Sequence, residues 1–203
     1  MNKSHVTLSL VAVAALALAG CASRQQTSMG AGASTAAVTT TTSTSATSTT
    51  TPAAAARLSA ADLQFVAQAA GAGMYEVEAS RVALTRAADP QVRAYAQMLV
   101  DHHTANNNEL MALVGRKGHR IAPGLPAPLQ QKVTMLQGLS GAAFDREFIR
   151  NTGVQDHMAA INAFQQSRST VADRDLQAFI DKTLPTLQAH LKQAQDLAGR
   201  IAG

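Results

Sequence analysis

Cysteine occurs once in the 203 residues, tryptophan not at all, and aromatic residues make up only 3%. A single cysteine excludes an internal disulfide framework and any cysteine-cluster metal site. So few aromatics argue against a sandwich or propeller, although an apolar content of 46%, much of it alanine, supports a folded core. Charge of either sign is modest, with 17 basic residues against 13 acidic, a net +4 that becomes +3 without Lys3. Spread over the chain this is no nucleic-acid footprint, so nucleic acid is not an expected partner. There is no Gly-x-Ser-x-Gly, phosphate-binding loop or dinucleotide fingerprint. No Asp or Glu is followed three residues later by His, which argues against the Glu-x-x-His pairs of a di-iron oxidase.

What is present begins with an export address. Lys3 precedes the apolar run Val6 to Ala19, which ends in Leu18-Ala19-Gly20-Cys21. A charged start, a run too short to span a membrane and small residues before a break read as a secretory signal over residues 1–20. The ending resembles the lipobox of bacterial lipoproteins, which implies that Cys21 becomes the lipidated amino terminus and attaches the chain to a membrane without a spanning helix. Ala22 after the cysteine implies, by the sorting pattern of such lipoproteins, the outer membrane, with the domain facing the periplasm. Between Arg24 and Arg57 no residue is charged, and Thr39 to Thr51 contains only Thr, Ser and one Ala. Such a stretch cannot repay its ordering entropy, so residues 21–57 are expected to be a flexible tether.

Residues 58–203 read as helices. Ser59-Ala-Ala-Asp62 is a capping-box start for a first helix to about Arg86. Asp89-Pro90 opens a second, which runs to about Arg116. Three prolines between Ala122 and Pro128 predict a loop, and a short helix follows from about Leu129 to Leu139. Ser140-Gly141 opens another long helix to about Ser167, and Asp173 caps a last one that contains Pro185, an expected kink. Leu176, Ile180, Thr183, Leu187, His190, Ala194, Leu197 and Ile201 step by alternating fours and threes, the seam of a bundle. Four long helices with one long crossover predict an all-α, ferritin-like four-helix bundle.

The inward polar residues are the chemical clue. His102 follows Leu99 on the apolar stripe of the second helix, while His103 is expected to turn about 100° away. His190 lies in the last seam, His157 on a face with Val154, Ile161 and Phe164, and Glu76 on or beside the apolar face of the first helix. Counting from the helix ends puts Glu76, His102 and His190 at similar levels, with His157 about 6 Å out of step. These four are the candidate metal ligands, and imidazole with one carboxylate suits Zn, Cu, Ni or Fe better than Mg or Ca. The same residues could instead be hydrogen-bonded across the helices with no metal present.

Glu76-Val77-Glu78, Met98-x-x-Asp101-His102-x-x-x-Asn106, Phe144-Asp145, His157-x-x-x-Ile161-x-x-Phe164 and Leu184-Pro185-x-Leu187-x-x-His190-Leu191 together resemble domain-of-unknown-function family 4142. These are ferritin-like bacterial envelope proteins often described as predicted outer membrane proteins. The resemblance covers about residues 59–200 and implies a four-helix fold and an exported location, with no established activity. Two functional classes follow for the chain: a lipid-anchored, non-catalytic binding or interaction module, or a protein using a buried His/Glu metal site, including in redox chemistry.

Overall fold

The computed structural model describes residues 57–201. The signal segment 1–20, Cys21 and all but the last residue of the expected tether lie outside the described residues. The described chain is all-α: α1 (Ala60–Arg86), α2 (Pro90–Arg116), α3 (Ala127–Gln137), α4 (Gly141–Phe148), a π-helical segment (Ile149–Asp156), α5 (His157–Thr170) and α6 (Arg174–Ile201). None of these helices is long and apolar enough to cross a membrane.

The start signals act as their chemistry dictates. The Ser59 hydroxyl accepts from the Asp62 N–H at 3.1 Å, and the Asp62 carboxylate accepts from the Ser59 N–H at 2.8 Å, a reciprocal capping box. Asp89 accepts from the Gln91 N–H ahead of Pro90, and Asp173 accepts from the N–H groups of Asp175 and Leu176. The expected loop is shorter at its far end than the three prolines suggested. Pro126 precedes α3 and Pro128 lies inside its first turn, where a missing N–H costs nothing.

Side-chain pairings give the order of the helices. Gly73 of α1 faces Asn107 of α2; Glu109 of α2 and Lys117 just past its end pair with Lys182 and Asp175 of α6. Phe164 of α5 packs on Phe179 of α6, and Phe65 of α1 packs edge-on against Phe164 at 5.1 Å. With Tyr75 bonded to Thr152 and His157 facing His190, one number rises as the other falls in each of these pairings, and a three-residue turn joins α1 to α2. Neighbouring helices thus run antiparallel around the ring α1, α2, α6 and the α4-to-α5 run. The long connection from Lys117 to Ser140 therefore crosses over, carrying α3 with it.

The apolar interior is in two parts. One gathers Phe65, Leu110, Phe164, Leu176 and Phe179; the other gathers Tyr95, Leu99, Phe144, Phe148 and Leu197. A polar layer of Glu76, His103, His157 and His190, all buried, lies where the two clusters meet along α1, α2, α5 and α6. Two further buried carboxylates tie the ends. Asp145 of α4 accepts from the Ala88 and Asp89 N–H groups of the α1–α2 turn, and Asp62 accepts from Ala172 and Asp173 in the α5–α6 turn. Burial alone would raise the Asp62 carboxyl, but donors from Ser59, Asp173 and Ala172 outweigh it and hold the group below its ordinary value.

The π-helical segment brings the run close to α6. A Cβ built on Gly153 would stand 2.9 Å from the Ala194 Cβ and 3.5 Å from Tyr95, so the two helices can approach only because position 153 has no side chain. Helix propensity by itself makes Ala more stable than Gly by about 1 kcal/mol. Overpacking against the fixed Ala194 Cβ acts the other way and costs about 1–3 kcal/mol. Gly153→Ala is therefore expected to lower stability in urea unfolding, and an unchanged or raised midpoint would show that this contact is not tight.

Candidate metal centre

His157 is the centre of the polar layer, fully buried, and the sequence expectation that it stands out of step is corrected. The reason is the preceding π-helical segment, whose i→i+5 bonding puts more residues into each turn than the α-helical count assumed. The irregular turn also frees a carbonyl. The His157 backbone N–H donates to Val154, while its ring Nδ1 lies 2.9 Å from the Thr152 carbonyl oxygen. A carbonyl can only accept, so His157 Nδ1 carries the hydrogen and the Nε2 lone pair is free.

That Nε2 faces His190 Nδ1 at 3.3 Å, long for a hydrogen bond between rings. His190 is held by α6 and by the Tyr95 hydroxyl, which donates to the His190 carbonyl at 3.3 Å. The third ring is His103. Its burial at 6% exposure, beside an exposed His102, reverses the expected orientation of this pair. His103, His157 and His190 each offer a nitrogen within 4.8 Å of the other two. Their ring centroids form a near-equilateral triangle with sides of 5.3, 5.3 and 5.6 Å.

The dimensions are those of shared ligation. With metal–nitrogen bonds of about 2.0–2.1 Å, two nitrogens on a tetrahedral edge stand about 3.3 Å apart, and their ring centroids about 5.2 Å apart. His103 Nε2 is buried and has no hydrogen-bond partner among the described residues, and the same is true of Glu76 Oε2. Orphaned buried donors and acceptors are costly, and two at one level mark a place built for something more.

Glu76 and His102, both candidate ligands by sequence, stand one shell further out. The Glu76 Oε1 is 3.6 Å from His157 Nδ1, on the side of the ring that points away from the other imidazoles. His102 Nδ1 lies 2.8 Å from His190 Nε2, a hydrogen bond with the rings stacked, and too short for two nitrogens sharing one ion. Ligating imidazoles commonly use their second nitrogen in this way, donating to a carbonyl, carboxylate or other acceptor that fixes the ring. Of the four sequence candidates, then, His157 and His190 meet at the centre, His102 is hydrogen-bonded to His190, and Glu76 lies beside His157, whose Nδ1 is oriented by the Thr152 carbonyl.

Burial sets the charge of the layer. It pushes His103 well below its ordinary value, helped by mutual repulsion with His157, His190 and His102. Burial lowers His157 despite the opposing Thr152 carbonyl and Asp156, and lowers His190 to about 3 with help from His157 and His102. All three imidazoles are neutral near pH 7, the form that ligates. Burial, reinforced by Asp156 and opposed by Lys132, pushes the Glu76 carboxyl well above its ordinary value.

A cleft of about 250 Å³ opens beside the layer, lined by His102, His103, Asn106, Thr183 and His190 among others. A smaller cavity of about 140 Å³ approaches Glu76 from the opposite side, past Tyr75, Lys132 and Asp156. The largest cavity, about 440 Å³ between α1, α2 and the crossover, touches none of these imidazoles.

Comparison with known proteins supports the fold and names a family. Two solved structures share the architecture. A DUF305 fragment from Deinococcus radiodurans has 16% identity and a TM-score of 0.63, covering 71% of this chain and 99% of its own. A DUF305 protein from Streptomyces coelicolor has 12% identity and a TM-score of 0.60, covering 70% of this chain and 93% of its own. At such identities the likeness is one of fold. No curated protein matches the chain. The family profile described as "Domain of unknown function (DUF4142)" matches residues 47–197, which include every helix up to the last turn of α6 and all of the polar layer. On that match, and with the motifs around His102, His157 and His190 lying inside it, the chain belongs to the DUF4142 family.

Proposed function

We propose that this domain is a non-catalytic binding module whose ligand is one late first-row transition-metal ion, held by His103, His157 and His190. The observation that carries the reading is the triangle of three buried neutral imidazoles at ligation spacing, with His103 Nε2 left without another partner. Three imidazoles suit Zn or Cu, and also Ni or Fe, and leave a fourth position for water or an incoming group. Glu76 supports His157, and His102 supports His190.

The proposal extends to location. The L-A-G-C ending at Cys21 supports lipid attachment at the outer membrane with the domain in the periplasm, beyond a tether over residues 21–57. The Streptomyces neighbour is described as a secreted protein, which agrees with export. In this reading the membrane is a partner only through the lipid. Cys21→Ala should move the chain to the soluble envelope fraction or leave the signal uncleaved. Unchanged processing and membrane association on fractionation would reject the lipid anchor.

The metal reading is tested with untagged mature protein. Calorimetric titration with Zn(II) and with Cu(II) should show one ion per chain for at least one of them, and that ion should raise the melting temperature. His103→Ala, His157→Ala and His190→Ala should each abolish the rise. Glu76→Gln and His102→Ala should weaken binding by about 10–100-fold while keeping the stoichiometry, as outer-shell changes do. Identical melting of chelator-treated protein with and without each metal would sink the proposal.

The metal-free protein should also be acid-sensitive. His103, His157 and His190 have folded values below the unfolded value near 6.5, so the unfolded chain takes up protons first as pH falls. Their share of stability is full above about pH 6.5 and is lost as pH drops from there toward 3, with a limiting slope of about 1.4 kcal/mol per pH unit per ring. Glu76 is shifted upward and works oppositely: its contribution is full below the ordinary 4.5 and lost as pH rises through its folded value. Urea unfolding between pH 7 and 5 should therefore show falling stability, with a shallower fall in His103→Leu; equal slopes would mean that His103 is not a buried neutral ring.

A further inference from the structure

We infer that the cleft beside His102 is the port through which the ion enters and leaves the centre, and that His102 is its capture ligand; this rests on the metal reading above. The imidazoles of the centre are buried in the middle of the bundle, so an ion has to reach them through a gap between helices. Among the described residues, two cavities are lined by side chains of the layer. The one at Glu76 is the smaller, about 140 Å³, and its wall carries the Lys132 ammonium, paired with Asp156, among alanine and phenylalanine side chains. It exposes no imidazole of the centre.

The cleft of about 250 Å³ between α2 and α6 differs in every respect that matters. Its floor is His103 and His190, and its wall carries the Asn106 carboxamide and the Thr183 hydroxyl, joined at 3.1 Å. His102 stands exposed on the same wall, one hydrogen bond from His190. Its second ring nitrogen is left to meet an ion arriving from solvent. The ion can then pass from an exposed imidazole to the buried ones over one ring's width, exchanging water for nitrogen stepwise. At the mouth Lys182 and Glu109 form an exposed ion pair that cancels the charge an approaching cation would otherwise meet.

Stopped-flow measurement of Zn(II) uptake and release by the mature protein, with a chromophoric chelator as competitor, separates the possibilities. Lys182→Glu leaves Glu109 unpaired and adds negative charge at the mouth. It should raise the association rate by about tenfold at low ionic strength, an increase that shrinks with added salt. Arg86→Glu makes the same charge change at the far end of α1 and should alter the rate by less than about twofold, since exposed charges beyond a Debye length are screened. His102→Ala should slow association by about tenfold through loss of the local ligand. If His102 only supports His190, that variant instead leaves association unchanged and speeds release, which overturns the capture role. Association indifferent to Lys182→Glu overturns the port while the centre itself stands. Absence of Zn(II) binding in the wild type overturns port and centre together.

Discussion

Four polar side chains at one level of an apolar bundle are the constraint on which the rest of this fold depends. Glu76, His103, His157 and His190 sit on four different helical runs, and each would be expensive to bury alone. Bringing them to a common level requires the helices to be in one register. It also requires the α5 run to give up its regular bonding over Ile149–Asp156, because the Thr152 carbonyl serves the His157 ring. The close approach at Gly153 lies in the same segment, one turn before His157 and facing Ala194, one turn beyond His190. The apolar clusters above and below the layer supply most of the burial, but they would tolerate a slip of one turn that the imidazoles would not.

Much of the helical framework was legible in the sequence because capping chemistry is local. Ser59, Asp89 and Asp173 announce their helices within three residues, and the seam through Leu176 and Leu187 fixes the buried face of α6. The layer was legible as a set of polar residues on apolar stripes, and His157, His190 and Glu76 are indeed buried. The choice between His102 and His103 was the harder one. Steps of three and of four residues both stay on a helix face, and Leu99 reaches one histidine by each. The clue was the strict alternation Val92, Ala96, Leu99, His103, Asn106, Leu110, Leu113, which breaks when His102 is put in its place. A π-helical turn has no comparable local signature, so the level of His157 could not be counted from Gly141 along an ideal α-helix. Asp145 was equally opaque: its partners are N–H groups more than fifty residues away.

The electrostatic design is one of neutrality. A centre made of charged groups would repel itself apart or need counter-charges in the core. In this one burial disfavours the charged form of every group, pushing the imidazoles below their ordinary values and the carboxyl above. Several ion pairs, such as Lys182 with Glu109 and Arg168 with Asp181, are exposed and contribute little to stability, while Lys117 with Asp173 and Lys132 with Asp156 are more enclosed and lie outside the imidazole centre.

The two buried aspartates at the ends of the bundle have a consequence for how the domain opens. Asp145 ties the α1–α2 turn to the start of α4, and Asp62 ties the start of α1 to the α5–α6 turn. Fraying, which usually begins where helices end, is opposed at both ends by a carboxylate bridging two helical pairs. Beyond Lys117, whose ammonium pairs with Asp173 and Asp175, the segment leading to α3 has no such staple among the described residues and is largely exposed, with glycines at positive φ at 118 and 124. Slow amide exchange should be deepest in the turns themselves, an inversion of the usual pattern, while the crossover serves as the natural place for the chain to yield to a protease.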